Sequence, residues 1–285
     1  MDPFDHILQG VSPYPILLAS ITNGDIPSVR RELEQLAQQS PEIDLTPALL
    51  HCVHKRQEEA MTTLLESSAT PEESVVEAAV GTGEVTMIKP LLIHGWPIDH
   101  TLRSGIMPSL LGYAVNNEEL LTWLLARGAD PNALSTIAET PSSVAVRDGA
   151  KRSIQMLFDA GGDANIGNLL HCAVERRAGQ DTAEIIELLI SRGAPVDGFE
   201  FEQPSAQQLR WGFSRGTALH KACYLGNSEA TSALLEHGAD PYCNRRYYDE
   251  EEQCTPLDVA RANGNEAIMA MLQRNLARSQ MAAKM

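Results

Sequence analysis

Histidine recurs at one position of a repeated apolar phrase. Its imidazole can bind a metal or act as an acid or a base. The phrase is Leu-Leu-His or Ala-Leu-His, and its three histidines are His51, His171 and His220. Cys52 and His54 lie beside the first, and Cys223 lies three residues after the last. Imidazole and thiolate bind zinc, but a zinc site needs four ligands that converge. Two interpretations therefore stand: a metal site, or one structural histidine in each phrase.

Motifs for catalysis offer little. The sequence has no HExxH metalloprotease motif and no phosphate-binding GxxxxGK[ST] loop. We therefore expect no catalytic residues, no metal and no cofactor. An enzymatic alternative remains, in which His220, Tyr224 or Glu175 acts as acid or base in a small-molecule pocket.

The elements that position these residues are repeats. An apolar pair, two spacers and a glycine recur, followed closely by Asp or Asn, and the glycines stand at 95, 128, 161, 193 and 238. Their spacings are 33, 33, 32 and 45 residues. A second phrase opens each unit, with Thr-Ala-Leu-His at 217–220 and Thr-Pro-Leu-Asp at 255–258 as its clearest forms. Such a fixed period indicates stacked structural repeats.

The two phrases predict one helix pair per unit. Thr caps a helix N-terminus, Pro suits the first turn, and the following Leu enters the core. Glycine supplies the left-handed residue that ends the first helix, as at Gly226 and Gly264. A second helix carries the Leu-Leu pair and ends at the next glycine. One such unit cannot bury its apolar face alone, whereas stacked units can.

The opening phrase of the Thr-Ala-Leu-His and Thr-Pro-Leu-Asp type, the Gly-Ala-Asp-Pro-Asn turn at 128–132 and the 33-residue period together resemble the ankyrin-repeat family. The resemblance covers residues 15–275 and implies an all-α solenoid of stacked helix-turn-helix units with hairpin fingers. Predicted helix starts near 15, 48, 74, 109, 140, 168, 217 and 255 give about eight units. In this family the histidine of the opening phrase is structural and bonds neighbouring backbone.

The predicted organisation is a lead-in at 1–14, a single repeat domain at 15–275 and a frayed C-terminal tail at 276–285. The second repeat has Ser67-Ser68 in place of the glycine, so we expect its finger to be missing. Insertions interrupt the repeats near 198–216 and 245–252.

The resemblance also implies a binding surface, because such stacks bind through finger tips and the inner helices. By position, this surface includes Arg147, Glu175, Arg176 and Tyr224. The first insertion adds four aromatic residues in a chain with only 5 % aromatics, and they are Phe199, Phe201, Trp211 and Phe213. These aromatics seal the core, anchor a partner or cover a small-molecule pocket, and the sequence leaves all three open.

Charge narrows the class of partner. The chain has 22 Lys and Arg against 38 Asp and Glu, a formal net charge of −16. This balance argues against nucleic acids and anionic membranes as partners, since both need clustered cations. We expect another protein as the partner, with a basic surface, and a non-catalytic adaptor or regulatory role. The five cysteines show no disulfide pattern and the N-terminal residues do not resemble a signal peptide, so we expect a location in the cytosol or nucleus. Ala283-Lys284-Met285, in contrast, resembles a peroxisomal ending.

Overall fold

The computed structural model describes residues 14–39, 43–67, 69–177, 181–202, 214–247 and 250–282. These residues form helices joined by turns, together with one short β-hairpin. The predicted all-α architecture of helix-turn-helix units is confirmed. Two compact units divide the chain, the first ending at Leu102 and the second beginning at Arg103.

Within the described ranges the helices form eight consecutive pairs. They are α1 (Pro15–Asn23) and α2 (Ile26–Gln39), α3 (Thr46–Lys55) and α4 (Glu58–Glu66), α5 (Glu73–Gly81) and α6 (Val85–Ile93), α7 (Leu110–Ala114) and α8 (Glu118–Leu125), α9 (Pro141–Asp148) and α10 (Lys151–Asp159), α11 (Leu169–Val174) and α12 (Thr182–Ser191), α13 (Ala218–Leu225) and α14 (Ser228–Glu236), and α15 (Pro256–Ala262) and α16 (Glu266–Ala282). Each first helix begins within two residues of its predicted start.

The opening phrase caps first helices as its residue types predict. Thr140, Thr217 and Thr255 each accept the backbone N–H of the residue three positions later through the side-chain oxygen, and that residue's side chain bonds back to the threonine N–H. This reciprocal pairing satisfies two helix donors that would otherwise lack partners. A cap of this kind stabilises a helix by about 1 kcal/mol.

Glycine ends the helices where the backbone turns left-handed. Gly226 closes α13 with φ of 70°, and the repeated glycines at 95, 128, 161, 193 and 238 have φ between 83° and 99°. A β-carbon is strained at such angles. Ser67 follows α4 instead, with φ of −88°. The connection from α4 to α5 comprises only residues 67–72, which agrees with the finger expected to be missing there.

Packing follows the same order in both units. First helices pack against neighbouring first helices, such as α1 on α3 and α11 on α13, and second helices pack likewise, such as α2 on α4 and α12 on α14. Small Ala48 and Ala222 on the first helices are fully buried, which permits this close approach. Leu64 and Leu234 from the Leu-Leu pairs are also fully buried, and each contributes about 1.5–3 kcal/mol.

Side chains of one pair bind the open helix end of the preceding pair. Asn227 donates to the carbonyl oxygen of Val174 at 3.1 Å, and Asn265 donates to that of Cys223 at 2.8 Å. The last carbonyls of a helix lack partners within the helix. These contacts therefore fix the spacing between consecutive pairs of the second unit.

The two insertions meet through backbone hydrogen bonds. Phe199 pairs antiparallel with Thr217, and Arg215 pairs with Arg246 through N–H···O contacts of 2.7 and 2.9 Å. Arg246 belongs to β1 (Arg245–Tyr247), which pairs with β2 (Glu250–Glu252). A small antiparallel sheet thus joins the base of the first insertion to the second. This link between insertions was not predicted.

The last helix runs beyond the predicted end of the repeat domain. α16 continues to Ala282, seven residues past position 275. The predicted frayed tail at 276–285 is therefore helical over its described part, because no Gly or Pro interrupts the sequence there.

Candidate functional site

The histidine of the opening phrase joins consecutive helix pairs. His220 contacts Thr217 through Nδ1 and lies 3.0 Å from the carbonyl oxygen of Cys254 through Nε2. His171 Nε2 lies 3.1 Å from the carbonyl oxygen of Gly216. In each case the accepting carbonyl immediately precedes the opening threonine of the next pair or its equivalent. The structural interpretation implied by the family resemblance therefore holds for both residues.

Burial also keeps the imidazole of His220 neutral near pH 7. The residue is 1 % exposed, and this desolvation lowers its pKa to about 4. His51 also has a side-chain partner, because its Nε2 lies 2.7 Å from the Thr22 hydroxyl. Within the described ranges, no group of three or more His, Cys, Asp or Glu side chains is arranged to hold a metal ion.

Arg176 stabilises the fold rather than presenting its guanidinium to a partner. The side chain is 2 % exposed and donates to Asp181 at 2.7 Å. It also donates to the carbonyl oxygens of Val146 at 2.6 Å and Gly149 at 3.1 Å. The sequence placed Arg176 on the surface by its repeat position, whereas Asp181 before α12 and the two carbonyls at the end of α9 draw it inward.

Arg147 and Glu139 form a tight ion pair at the wall of a cavity. Both nitrogens of the guanidinium fork contact the two carboxylate oxygens of Glu139, and each side chain is 17 % exposed. These hydrogen bonds raise the pKa of Arg147. Arg147 therefore contributes to the site by binding Glu139, which lines the cavity.

The cavity lies between α11, α13 and the first insertion, entirely within the second unit. It has a volume of about 280 Å³ and is partly open to solvent. Its charged and aromatic lining comprises Glu139, Glu175, Glu200, Phe201 and Lys221. Two of the predicted site residues, Glu175 and Phe201, thus come together here.

Lys221 is the electrostatic centre of this cavity. Its ammonium lies 2.8 Å from Glu175 Oε1 and 2.6 Å from Glu200 Oε1, and its side chain is 19 % exposed. Burial disfavours the charged form, but the two carboxylates outweigh this effect and raise the pKa of Lys221. Lys221 is therefore a fixed cation that holds two carboxylates at the cavity.

Glu200 and Phe201 reach the cavity from the first insertion. The N–H of Glu200 donates to the carbonyl oxygen of Gly216 at 3.1 Å, and that of Phe201 donates to Asn168 Oδ1 at 3.0 Å. Phe201 has a φ of 59°, a left-handed conformation that non-glycine residues rarely adopt. The insertion is thus held against α11 and α13 in a defined conformation.

Phe199 is buried in the core. It is 9 % exposed, and the Arg246 guanidinium lies 4.1 Å from its ring centroid. This position agrees with the interpretation that the aromatics seal the core. Trp211 and Phe213 lie outside the described residues.

Tyr224 and Leu225 extend the site along α13. They are 60 % and 50 % exposed, although large apolar side chains are mostly buried in this chain. They stand three and four residues after Lys221, and residues at these spacings share one helix face. An exposed apolar pair therefore lies beside the charged cavity.

The sequence did not predict three charged residues of the cavity, because only tertiary contacts bring them together. They are Glu139, Glu200 and Lys221.

Residues 212–216, Gly-Phe-Ser-Arg-Gly, match the G-x-S-x-G pattern of serine hydrolases. That nucleophile requires a turn between a strand and a helix and an adjacent base. In the described structure Ser214 donates to Glu252, and Arg215 after it pairs with Arg246 of β1. Ser214 therefore joins the two insertions.

None of the described helices is long and apolar enough to cross a bilayer.

Comparison with known proteins identifies repeats at the C-terminal end. Residues 198–280 match the family model for ankyrin repeats in three copies. The chain is 34 % identical over 93 residues to an ankyrin repeat protein of fowlpox virus (strain NVSL), covering 31 % of this chain and 21 % of that protein. It is 31 % identical over 146 residues to the mitochondrial disaggregase of Bos taurus, covering 51 % of this chain and 20 % of that protein.

A further similarity is to the ankyrin repeat and KH domain-containing protein mask-1 of Caenorhabditis elegans. The identity is 31 % over 119 residues, covering 42 % of this chain and 4 % of that protein. The chain therefore aligns with about a fifth or less of the length of each of these relatives.

Proposed function

The chain is an ankyrin-repeat protein, and from this premise we propose that it is a non-catalytic adaptor or regulatory protein that binds another protein. Ankyrin repeats generally mediate protein–protein interaction. The binding face in this proposal, which we term the α13 face, comprises Tyr224, Leu225 and the cavity around Lys221.

One observation carries the proposal: the exposed pair Tyr224 and Leu225 lies next to a charged cavity on a rigid helix pair. Tyrosine combines a large apolar surface with few rotatable bonds, so it is common among the residues that dominate binding energy. Polar groups around such an anchor set register and specificity. A rigid scaffold lowers the entropic cost of presenting both features.

We further propose a partner with a basic surface, located in the cytosol or nucleus. The support is the net charge of −16 together with the three carboxylates at the cavity. Opposite charges accelerate encounter, and salt screens this effect. Binding that weakens steeply from low to high salt is therefore expected, and binding indifferent to salt argues against a basic partner.

The test is affinity capture of the whole chain from native cytosol, followed by mass spectrometry. The variant Tyr224→Ala/Leu225→Ala removes the apolar pair. The matched control is Ile93→Ala, since Ile93 is also apolar and 68 % exposed but belongs to the first unit. A stoichiometric protein retained by wild type and control but lost by the double variant supports the proposal. Equal capture by all three proteins contradicts the proposed face.

A second candidate, a small-molecule-binding protein or enzyme, is favoured by the cavity beneath Glu200 and Phe201. Its volume of about 280 Å³ lies below the roughly 300–1,000 Å³ of ligand pockets. Among its proposed acid-base residues, Glu175 lines the cavity, whereas His220 is buried with a lowered pKa. Binding of a small molecule from a metabolite extract, with no protein captured, would favour this candidate.

A further inference from the structure

We propose that the cavity between α11, α13 and residues 200–201 is a socket for one cationic side chain, arginine or lysine, of the partner protein. This inference rests on the proposed function and deepens it, because it names the chemical group that the α13 face selects.

Charge balance is the first argument. Three carboxylates, those of Glu139, Glu175 and Glu200, line the cavity and face two cations, Lys221 and Arg147. One negative charge is thus in excess at a partly enclosed site. Charges in such a place interact more strongly than on an open surface, because the surrounding protein screens them less than water does.

The distribution of hydrogen bonds shows where a further cation can bind. Arg147 occupies both oxygens of Glu139. The closest contacts of Lys221 are to Oε1 of Glu175 and Oε1 of Glu200, and within the described part of the chain no second cation is found beside either carboxylate. Because a carboxylate has about four acceptor sites, Glu175 and Glu200 each keep the capacity to accept further hydrogen bonds. An ammonium or guanidinium group supplies the donors that they lack.

The size and the apolar lining suit a long side chain with a charged end. A volume of about 280 Å³ is small for an independent ligand but accommodates a single side chain. Phe201 and Ile137 provide the apolar part of the lining. The methylene groups of Lys or Arg pack on apolar surface while the charge reaches polar groups, and an aromatic face attracts a cation.

The neighbouring apolar pair sets a register for the partner. Lys221 and Tyr224 lie on one face of α13, with β-carbons about 5–6 Å apart. An extended peptide advances ~3.3 Å per residue. We therefore expect a preferred sequence in which the cationic residue is followed or preceded by an apolar residue within about two positions.

The experiment is selection of random 12-residue displayed peptides on the intact chain. The expected result is enrichment of Arg or Lys at one position, with an apolar residue within about two positions. The enriched peptide is then resynthesised with citrulline in place of its arginine, or norleucine in place of its lysine. Either replacement removes the positive charge of the peptide without changing the protein. The affinity is expected to fall at least about tenfold.

Variants of the protein show which of its carboxylates bind the cationic residue of the peptide. Glu175→Gln and Glu200→Gln are each expected to weaken the enriched peptide about fivefold to tenfold. Glu251→Gln is the control, because Glu251 is an exposed acid on the β2 strand away from the cavity lining. It is expected to change affinity less than twofold. Equal weakening by Glu251→Gln would mean that general acidity attracts the peptide, and would overturn the socket.

The remaining outcomes separate the two proposals. Enriched peptides without a cationic residue overturn the socket and leave the protein-binding proposal standing. Failure to enrich any peptide overturns the socket, and only the additional failure of affinity capture removes the proposed function. If N-acetyl-arginine amide alone binds as tightly as the peptide, the cavity is a small-molecule site and the socket is also overturned.

Discussion

The ammonium of Lys221 lies 2.6 Å from Oε1 of Glu200, and this contact ties the first insertion to the face of α13. The same ammonium holds Glu175 of α11's C-terminal end at 2.8 Å. One lysine thus connects two repeats and an insertion, and it shapes the cavity at the centre of the proposed binding face.

Removing this lysine is expected to destabilise the second unit. Lys221→Met leaves Glu175 and Glu200 close together without their cation, and we expect a loss of about 1–3 kcal/mol in the free energy of unfolding. Chemical denaturation measures it. Arg261→Met is the control, because the Arg261 side chain is 63 % exposed in its pair with Asp258 and contributes little. Equal losses for both variants would contradict the role assigned to Lys221.

Acid is expected to destabilise the fold through His220. Its pKa falls from 6.5 to about 4 on burial, so the unfolded chain binds a proton more readily than the folded one. The stability contributed by the neutral ring is therefore complete above pH 6.5 and lost as the pH falls toward 4. Between pH 7 and 4.5 this amounts to about 2–3 kcal/mol.

The measurement is the free energy of unfolding of wild type and His220→Asn at both pH values. The variant lacks the imidazole, so its stability should fall less than that of wild type by this amount. Parallel losses in the two proteins would show that other groups, such as His171, account for the acid sensitivity.

The asparagine contacts between helix pairs allow an internally matched comparison. Asn227 donates to the Val174 carbonyl and also accepts the N–H of Ala230 as a helix cap, whereas Asn265 is observed to donate to the Cys223 carbonyl. We expect Asn227→Ala to cost about 1–2 kcal/mol and Asn265→Ala about 1 kcal/mol. Thermal and chemical unfolding test this order, and a larger cost for Asn265→Ala would contradict it.

Cysteine reactivity is expected to follow burial. Cys52, Cys172 and Cys223 are at most 4 % exposed, and burial raises the pKa of Cys172 and Cys223 to about 12. Cys243 and Cys254 are half-buried. In the native protein at pH 8, iodoacetamide should modify the latter two at least about tenfold faster, as measured by mass spectrometry. Uniform labelling would indicate that both units open readily.

The repeats were predictable because their signals are local. A capping threonine, an early proline and a left-handed glycine act within one turn of helix, so the starts of α1, α9 and α13 could be read from neighbouring residues. The histidine contacts followed from the family resemblance. The extension of α16 to Ala282 was missed because a polar sequence without a helix breaker was assigned to the tail.

The cavity was not predictable, because its charges come from distant parts of the chain. Glu139 and Lys221 are 82 residues apart and meet only when α9, α11 and α13 stack. The burial of Arg176 likewise depends on carbonyls at the end of α9. The sequence did single out Glu175, Phe201 and Tyr224, because repeat position and the unusual insertion marked them.

The most direct test of the α13 face is hydrogen–deuterium exchange of the chain saturated with its captured partner protein. Binding through this face predicts slower exchange of the backbone amides in residues 221–226 and 199–202, with little change in α1 to α6 of the first unit. Protection confined to the first unit, or absent from residues 221–226, would contradict the claim that the α13 face binds the partner.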